Sequence, residues 1–180
     1  VESRGLGDVY KRQAGCRMKW ILIKKDKIKK EKRMSMEINE MQEMNERAKK
    51  ALEYHKKGYN CSQAVACSFC EEFGVDEETM FRIAEGFGFG MGMMDICGAV
   101  TGMFMVMGLD NSVGNPDNGK LTKADTYKKV KEYANRFKEK NGTYYCRELK
   151  SVVDGKQRVS CDQCILDAVA LTESYLANRG

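Results

Sequence analysis

Proline occurs once in this 180-residue chain and histidine once. With Pro116 alone and few β-branched runs, turn-rich β architectures lose their support. Helix formers are plentiful, so the expected class is all-α. The single histidine, His55, lies at the end of a charged helix and reads as a solvated surface residue. Without a second histidine, His-dependent nucleophile arrangements are unattractive. No carboxylate pair stands out as an acid–base couple. No uninterrupted apolar run reaches the ~20 residues of a spanning helix, so no membrane span is expected. The opening lacks a basic start followed by an apolar core, so no secretory leader is expected either. A reducing, cytoplasmic setting follows as the default, where clustered cysteines are more often catalytic or metal-binding than structural disulfides.

Positive charge is scarce where a folded domain would need it to bind nucleic acid. The whole chain is formally +5, but residues 1–33 hold 12 Lys/Arg against 4 Asp/Glu, which leaves the remainder at −3. No nucleic-acid partner is expected for the folded part. Residues 1–33 also read unlike a domain. The stretch Asp8 to Gln13, DVYKRQ, resembles a translated transposase adapter, and Lys24 to Arg33 is nearly all Lys, Glu, Asp and Arg, with purine-rich codons like those of a ribosome-binding leader. The expectation is a non-native or disordered leader over 1–33 and a single helical domain over 34–180, starting at Met34 or Met36. The alternative is a disordered basic arm or a short amphipathic helix around Trp20 to Ile23. Cys16, in the leader, is assigned no role.

What the chain does have is helix punctuation and cysteine. From Met36 apolar residues recur at spacings of three and four as far as Lys57, and Gly58 ends the run. Asn60 is positioned to cap a helix from Cys61 to Phe73, closed by Gly74. Asp76 opens another through Ala84. A stretch of glycine and methionine then runs from Gly86 to Leu109 with one charge, Asp95, which reads as the cap of a central helix. Gly98, Ala99 and Gly102 would keep one side of that helix small enough for a neighbouring backbone to come close. Asn111 to Gly119 is turn-rich. Leu121 to Lys140 is amphipathic, with Ala124, Tyr127, Val130, Ala134 and Phe137 as its inner stripe. A short helix over Tyr144 to Leu149 and a polar loop lead to Ser160, which caps a last helix from Cys161 to Leu176. The expected architecture is a compact bundle of about five to six helices with a glycine-rich loop before the central one. That loop lacks the Lys-Ser/Thr of a phosphate-binding loop, and its methionines read as core filler.

Eight cysteines exceed ordinary usage but fall short of a disulfide scaffold. Cys61, Cys97 and Cys161 each follow a capping side chain by one or two residues, and Cys146 joins them with Thr143 as its cap. A thiol in the first turn of a helix sits near partial positive charge, which favours the thiolate. Cys67 and Cys70, three apart on one face, read as mid-helix core residues. Cys164 is either a core residue or half of a Cys-x-x-Cys dithiol with Cys161.

The segments Gly58 to Val65 (GYNCSQAV), Cys97 to Gly102 (CGAVTG), Cys146 to Leu149 (CREL) and Cys161 together resemble the four-cysteine C_GCAxxG_C_C family of redox-active proteins, over roughly Ala48 to Tyr175. The resemblance implies that Cys61, Cys97, Cys146 and Cys161 are the functional set, and leaves Cys67, Cys70 and Cys164 outside it. Three readings of function stand side by side. The first is a thiol–disulfide redox protein acting with a redox partner protein, with Cys97 as the thiolate and Cys61, Cys146 or Cys161 resolving. The second is a metal or iron–sulfur protein in which the same four thiolates hold zinc or a cluster. The third is a non-enzymatic helical module with buried cysteines. The sequence names no cofactor and no oligomeric state.

Overall fold

The computed structural model describes residues 45–179 apart from Asp154; the leader, Cys16 and the expected helical run from Met36 to Met44 lie outside the described residues. Eight α-helices follow in order: α1 (Glu46–Lys56), α2 (Cys61–Cys67), α3 (Cys70–Phe73), α4 (Glu77–Glu85), α5 (Gly98–Asn111), α6 (Lys123–Asn141), α7 (Cys146–Leu149) and α8 (Cys161–Ala177). A wide turn, Gly90–Met94, precedes α5, and a single 3₁₀ turn, Pro116–Asn118, precedes α6. The polar loop after α7 contains a two-residue hairpin, β1 (Val152–Val153) paired antiparallel with β2 (Lys156–Gln157). The all-α bundle with a glycine-rich loop before its central helix is therefore the observed architecture. Among the described residues no helix is long and apolar enough to cross a membrane.

Helix α5 is apolar on all sides, so it must be covered all round. It packs against α2, α6 and α8, while α1 lies across α2 and α8. Its Val100, Met103, Val106 and Met107 join Val65, Phe69, Phe137, Ile165 and Val169 in a fully buried core. Gly102 permits the α2–α5 contact. A Cβ there would lie 2.7 Å from the Ser62 carbonyl oxygen and 3.0 Å from Val65 Cβ. The small face expected of this helix is thus the face that meets α2.

Three local expectations need correction. The helix expected over Cys61 to Phe73 is broken at Ser68 and Phe69. The Ser68 hydroxyl donates back to the Val65 carbonyl (2.7 Å), and the last turn tightens so that Phe69 drops into the core, under the Arg47 guanidinium at 4.3 Å. Cys67 and Cys70 consequently end one helix and begin the next. In α6 the buried residues are Tyr133, Phe137 and Asn141, whereas Tyr127 is 65% exposed, so the inner face is rotated from the expected stripe. Tyr133 wins the inner position because its ring packs edge-on against Tyr175 of α8, centroids 5.4 Å apart. Finally, α5 begins at Gly98, so Asp95 lies outside it.

Candidate functional site

Three long-helix starts and one short helix converge on a single cavity of about 190 Å³, and each brings cysteine to its wall: Cys61, Cys97, Cys146, Cys161 and Cys164. The start of α2 is fixed by a capping box. The Asn60 side chain accepts from the Ser62 and Gln63 amides, and the Gln63 side chain accepts from the Asn60 amide (2.9 Å). Asn60 is tied further to the end of α4, its side-chain amide donating to the Glu85 carbonyl (2.9 Å). Ser160 caps α8 by accepting from the Gln163 amide at 3.1 Å. Cys61 and Cys161 therefore occupy the first helical position of α2 and α8, as their sequence context predicts.

Cys97 arrives differently. Asp95 does not cap its helix: the Asp95 amide donates to Gly90 (3.1 Å), its carbonyl accepts from the Cys146 amide (2.6 Å), and its carboxylate faces Arg147 at 3.5 Å. Ile96 pairs with Tyr145 as an isolated bridge, and the Cys97 amide donates to the Tyr144 carbonyl at 2.9 Å. With those residues held extended, Cys97 itself takes the N-cap position. The same strand-like tie sets Cys146 opposite Asp95 and Cys97 opposite Tyr144, so both cysteines flank the one bridge. Thr143 is not the cap of α7; its hydroxyl accepts from the Tyr145 amide (3.2 Å), and Tyr145 stands at the cap position.

The preceding turn carries the cost of this arrangement. Phe89, Met91 and Met94 adopt left-handed φ values of 53°, 58° and 57°, each at about 1–3 kcal/mol for a residue with a Cβ. At Gly90, with φ 61°, a Cβ would sit 2.9 Å from Cys146 Cβ. The turn is wound tightly against the site, and Phe89 becomes part of the cavity wall while remaining 50% exposed.

All seven described cysteines are free thiols. Four of those on the cavity wall pair two by two. Cys61 neighbours Cys161, and Cys164 neighbours Cys97. Within the first pair, the hydrogen bond from Cys61 holds Cys161 down at about 6, helped by the Lys150 ammonium and His55 and opposed by burial. The same bond, together with burial, pushes Cys61 up. Within the second pair, the bond from Cys164 lowers Cys97 against burial, and the Ala99 and Val100 amides of the α5 start add to it. Cys164 is pushed up by that bond and by its burial. Cys146, pushed up by burial and by the nearby charge of Cys97, is a neutral thiol beside both pairs.

His55 is not a free surface residue. It lines the cavity, and its Nδ1 lies 2.7 Å from an Asp162 carboxylate oxygen, which joins the end of α1 to the first turn of α8. Lys150, at the end of α7, also lines the cavity; its positive charge helps to lower Cys161, and its ammonium stands 5.3 Å from the Phe89 ring centre. Sequence reasoning missed Lys150, whose position four residues after Cys146 carries no signal until α7 is placed. It also left Cys164 outside the site, although the Cys-x-x-Cys spacing at a capped start puts Cys164 one turn below Cys161 on the same face.

Residues 59–175 match the family C_GCAxxG_C_C, described as "Putative redox-active protein (C_GCAxxG_C_C)". The chain belongs to this family. Its Cys-Gly-Ala-x-x-Gly segment is Cys97 to Gly102, the N-cap and first turn of α5, where Gly98 and Gly102 let that helix lie against α2. The family's name gives redox activity as its character, and the match spans all five cavity cysteines. No curated protein and no solved structure matches the chain.

Among the described residues no three His, Cys, Asp or Glu side chains are placed to hold one metal ion. Cys61, Cys97, Cys146 and Cys161 are nonetheless soft thiolate donors of the kind that zinc and iron–sulfur clusters take.

Proposed function

We propose that this C_GCAxxG_C_C protein is a thiol–disulfide redox protein, of oxidoreductase type, whose working pair is Cys161 and Cys61. One observation carries the reading. Cys161 is a partly exposed thiol at a capped helix start, on the wall of the cavity that Cys61 and Lys150 also line. Exchange needs an accessible thiolate and a resolving thiol within reach, and this pair supplies both. In the forward sense, Cys161 attacks one sulfur of a partner disulfide and the other partner sulfur leaves as thiolate. Cys61 then loses its proton and attacks the Cys161 sulfur, which releases the second partner thiolate and leaves a Cys61–Cys161 disulfide. The partner is a disulfide-bearing molecule, in a cytoplasmic setting where such bonds are kept transient.

A titration of the anaerobically reduced protein against dithiothreitol couples, read by peptide mapping of alkylated thiols, tests this. The expected result is a reversible two-electron step that removes Cys61 and Cys161 from the thiol pool. The convergence of five cysteines on one cavity supports a second reading, in which Cys61, Cys97, Cys146 and Cys161 hold zinc or an iron–sulfur cluster. Near-stoichiometric iron, zinc or acid-labile sulfide in protein purified without oxygen would favour that reading over exchange.

A further inference from the structure

Building on Cys161 and Cys61 as the working pair, we propose that Cys97 and Cys164 form a second dithiol that takes over the disulfide made at the first. The cavity then accepts two oxidising equivalents in succession and stores the first of them away from solvent. Cys164 is outside the four cysteines of the family pattern, so this function belongs to the chain's own fifth cavity sulfur.

The two pairs form an outer and an inner layer. Cys61 and Cys161 are partly exposed, whereas Cys97 and Cys164 are 4% and 2% exposed. A dissolved disulfide reaches the outer sulfurs first. The layers are in contact through two elements. Cys161 and Cys164 lie one turn apart on α8. The start of α5 presses on Cys61: a Cβ at Gly98 would lie 3.2 Å from Cys61 Cβ. Cys97 thus shares one cavity wall with both outer sulfurs.

Order follows from access: a dissolved disulfide meets the partly exposed Cys61 and Cys161 before the buried Cys97 and Cys164. Cys97 stands at the N-cap of α5, where the free amides of a helix start favour a thiolate. Direction follows from burial: a disulfide between Cys97 and Cys164 is shielded from the dissolved thiols that would reduce an exposed one. The disulfide is accordingly held inward.

The steps balance with a small disulfide, RSSR, as oxidant. RSSR and the outer dithiol give the Cys61–Cys161 disulfide and two RSH. Cys97 thiolate then attacks one outer sulfur, forming a mixed disulfide and releasing the other outer sulfur as thiolate. Cys164 gives up its proton and attacks Cys97. The inner disulfide forms, and the second outer sulfur leaves, so the outer pair is a dithiol again. A second RSSR oxidises it anew. Each disulfide accounts for two electrons and two protons.

The test uses the reduced full chain with one equivalent, and then an excess, of oxidised glutathione, quenched in acid and mapped by differential alkylation. One equivalent is expected to place the disulfide on Cys97 and Cys164 over the outer pair by at least about tenfold, and excess oxidant is expected to consume all four thiols. In Cys161→Ser, inner-pair oxidation is expected to slow by at least about tenfold, because the route through the outer layer is cut. In Cys164→Ala, the outer disulfide is expected to accumulate at one equivalent. Persistent Cys97 and Cys164 thiols beside an accumulated outer disulfide in the unmodified chain would overturn the transfer while leaving the outer-pair reading intact. Inner-pair oxidation at an unchanged rate in Cys161→Ser would overturn it too. No disulfide at either pair would overturn both.

Discussion

Cys161 and Cys164 at the start of α8, and Cys67 and Cys70 across the break between α2 and α3, share a spacing of three residues but sit in opposite surroundings. The first two face a cavity beside a lysine at a capped helix start. The second two are 0% and 4% exposed in the core, at the end of one helix and the start of a four-residue one. Burial, with the Cys70 charge, pushes Cys67 up to about 12, whereas Cys161 is held down at about 6. At pH 7 that gap makes Cys161 mostly thiolate and leaves Cys67 ionised in about one molecule in 10⁵. Nucleophilicity rises with pKa, with a Brønsted slope of about 0.4–0.5, and this returns part of the difference, so intrinsic reactivity still favours Cys161 by about 10² before access is counted. Spacing alone does not make a dithiol reactive. A partner sulfur, a cation and a way in do.

The strongest way to break the contrast is to remove one sulfur from each pair. Cys161→Ser is expected to lower disulfide-exchange turnover by more than about 10²-fold with little change in stability. Cys67→Ser is expected to do the reverse. It leaves exchange unchanged and costs about 1–3 kcal/mol in denaturant unfolding, because a hydroxyl replaces a fully buried thiol. A loss of exchange in Cys67→Ser at unchanged stability would end the distinction.

Next in size is the helix contact that brings the outer and inner layers together. Gly102→Ala would drive a Cβ into the Ser62 carbonyl, at a cost of about 1–3 kcal/mol. It would also shift the start of α2, and Cys61 with it, so exchange is expected to slow along with the drop in stability. Gly108→Ala in the same helix, where nothing lies within 4 Å, is the control and should be neutral or slightly stabilising.

Smaller still is the effect of the cation. Lys150→Met removes the ammonium that stands over Phe89 and beside Cys161 and keeps an apolar stem of similar length. The Cys161 titration is expected to move upward from about 6, with a several-fold slower reaction at pH 6 and little change at pH 9, where the thiolate is full in both proteins. A uniform slowing at every pH would mean that Lys150 acts on shape rather than on charge.

Much of the fold was legible because its helices are punctuated by local chemistry. Asn60 with Gln63, Asp76 and Ser160 act as the caps that their side chains predict. The apolar, glycine-bearing stretch that became α5 could only be a central helix. What escaped was decided at a distance. Asp95 has the side chain of a cap, but its backbone is claimed by Gly90 and Cys146, 51 residues away in the latter case. The break at Ser68 follows from where Phe69 must go, and the exposed Tyr127 from the position Tyr133 takes against Tyr175. In the site, Cys61 and Cys161 announce themselves by their caps. Cys164 and Lys150 depend on which helix starts meet, and a linear pattern does not contain that.

The most direct measurement is the pH dependence of alkylation at each cysteine of the reduced protein, read peptide by peptide after limited reaction with iodoacetamide. Cys161 is expected to reach half its maximal rate near pH 6, with Cys67 still unreactive at pH 9. A midpoint for Cys161 between about 8 and 9, where an ordinary thiol titrates, would contradict the account, because Cys61 and Lys150 would then not have made a thiolate.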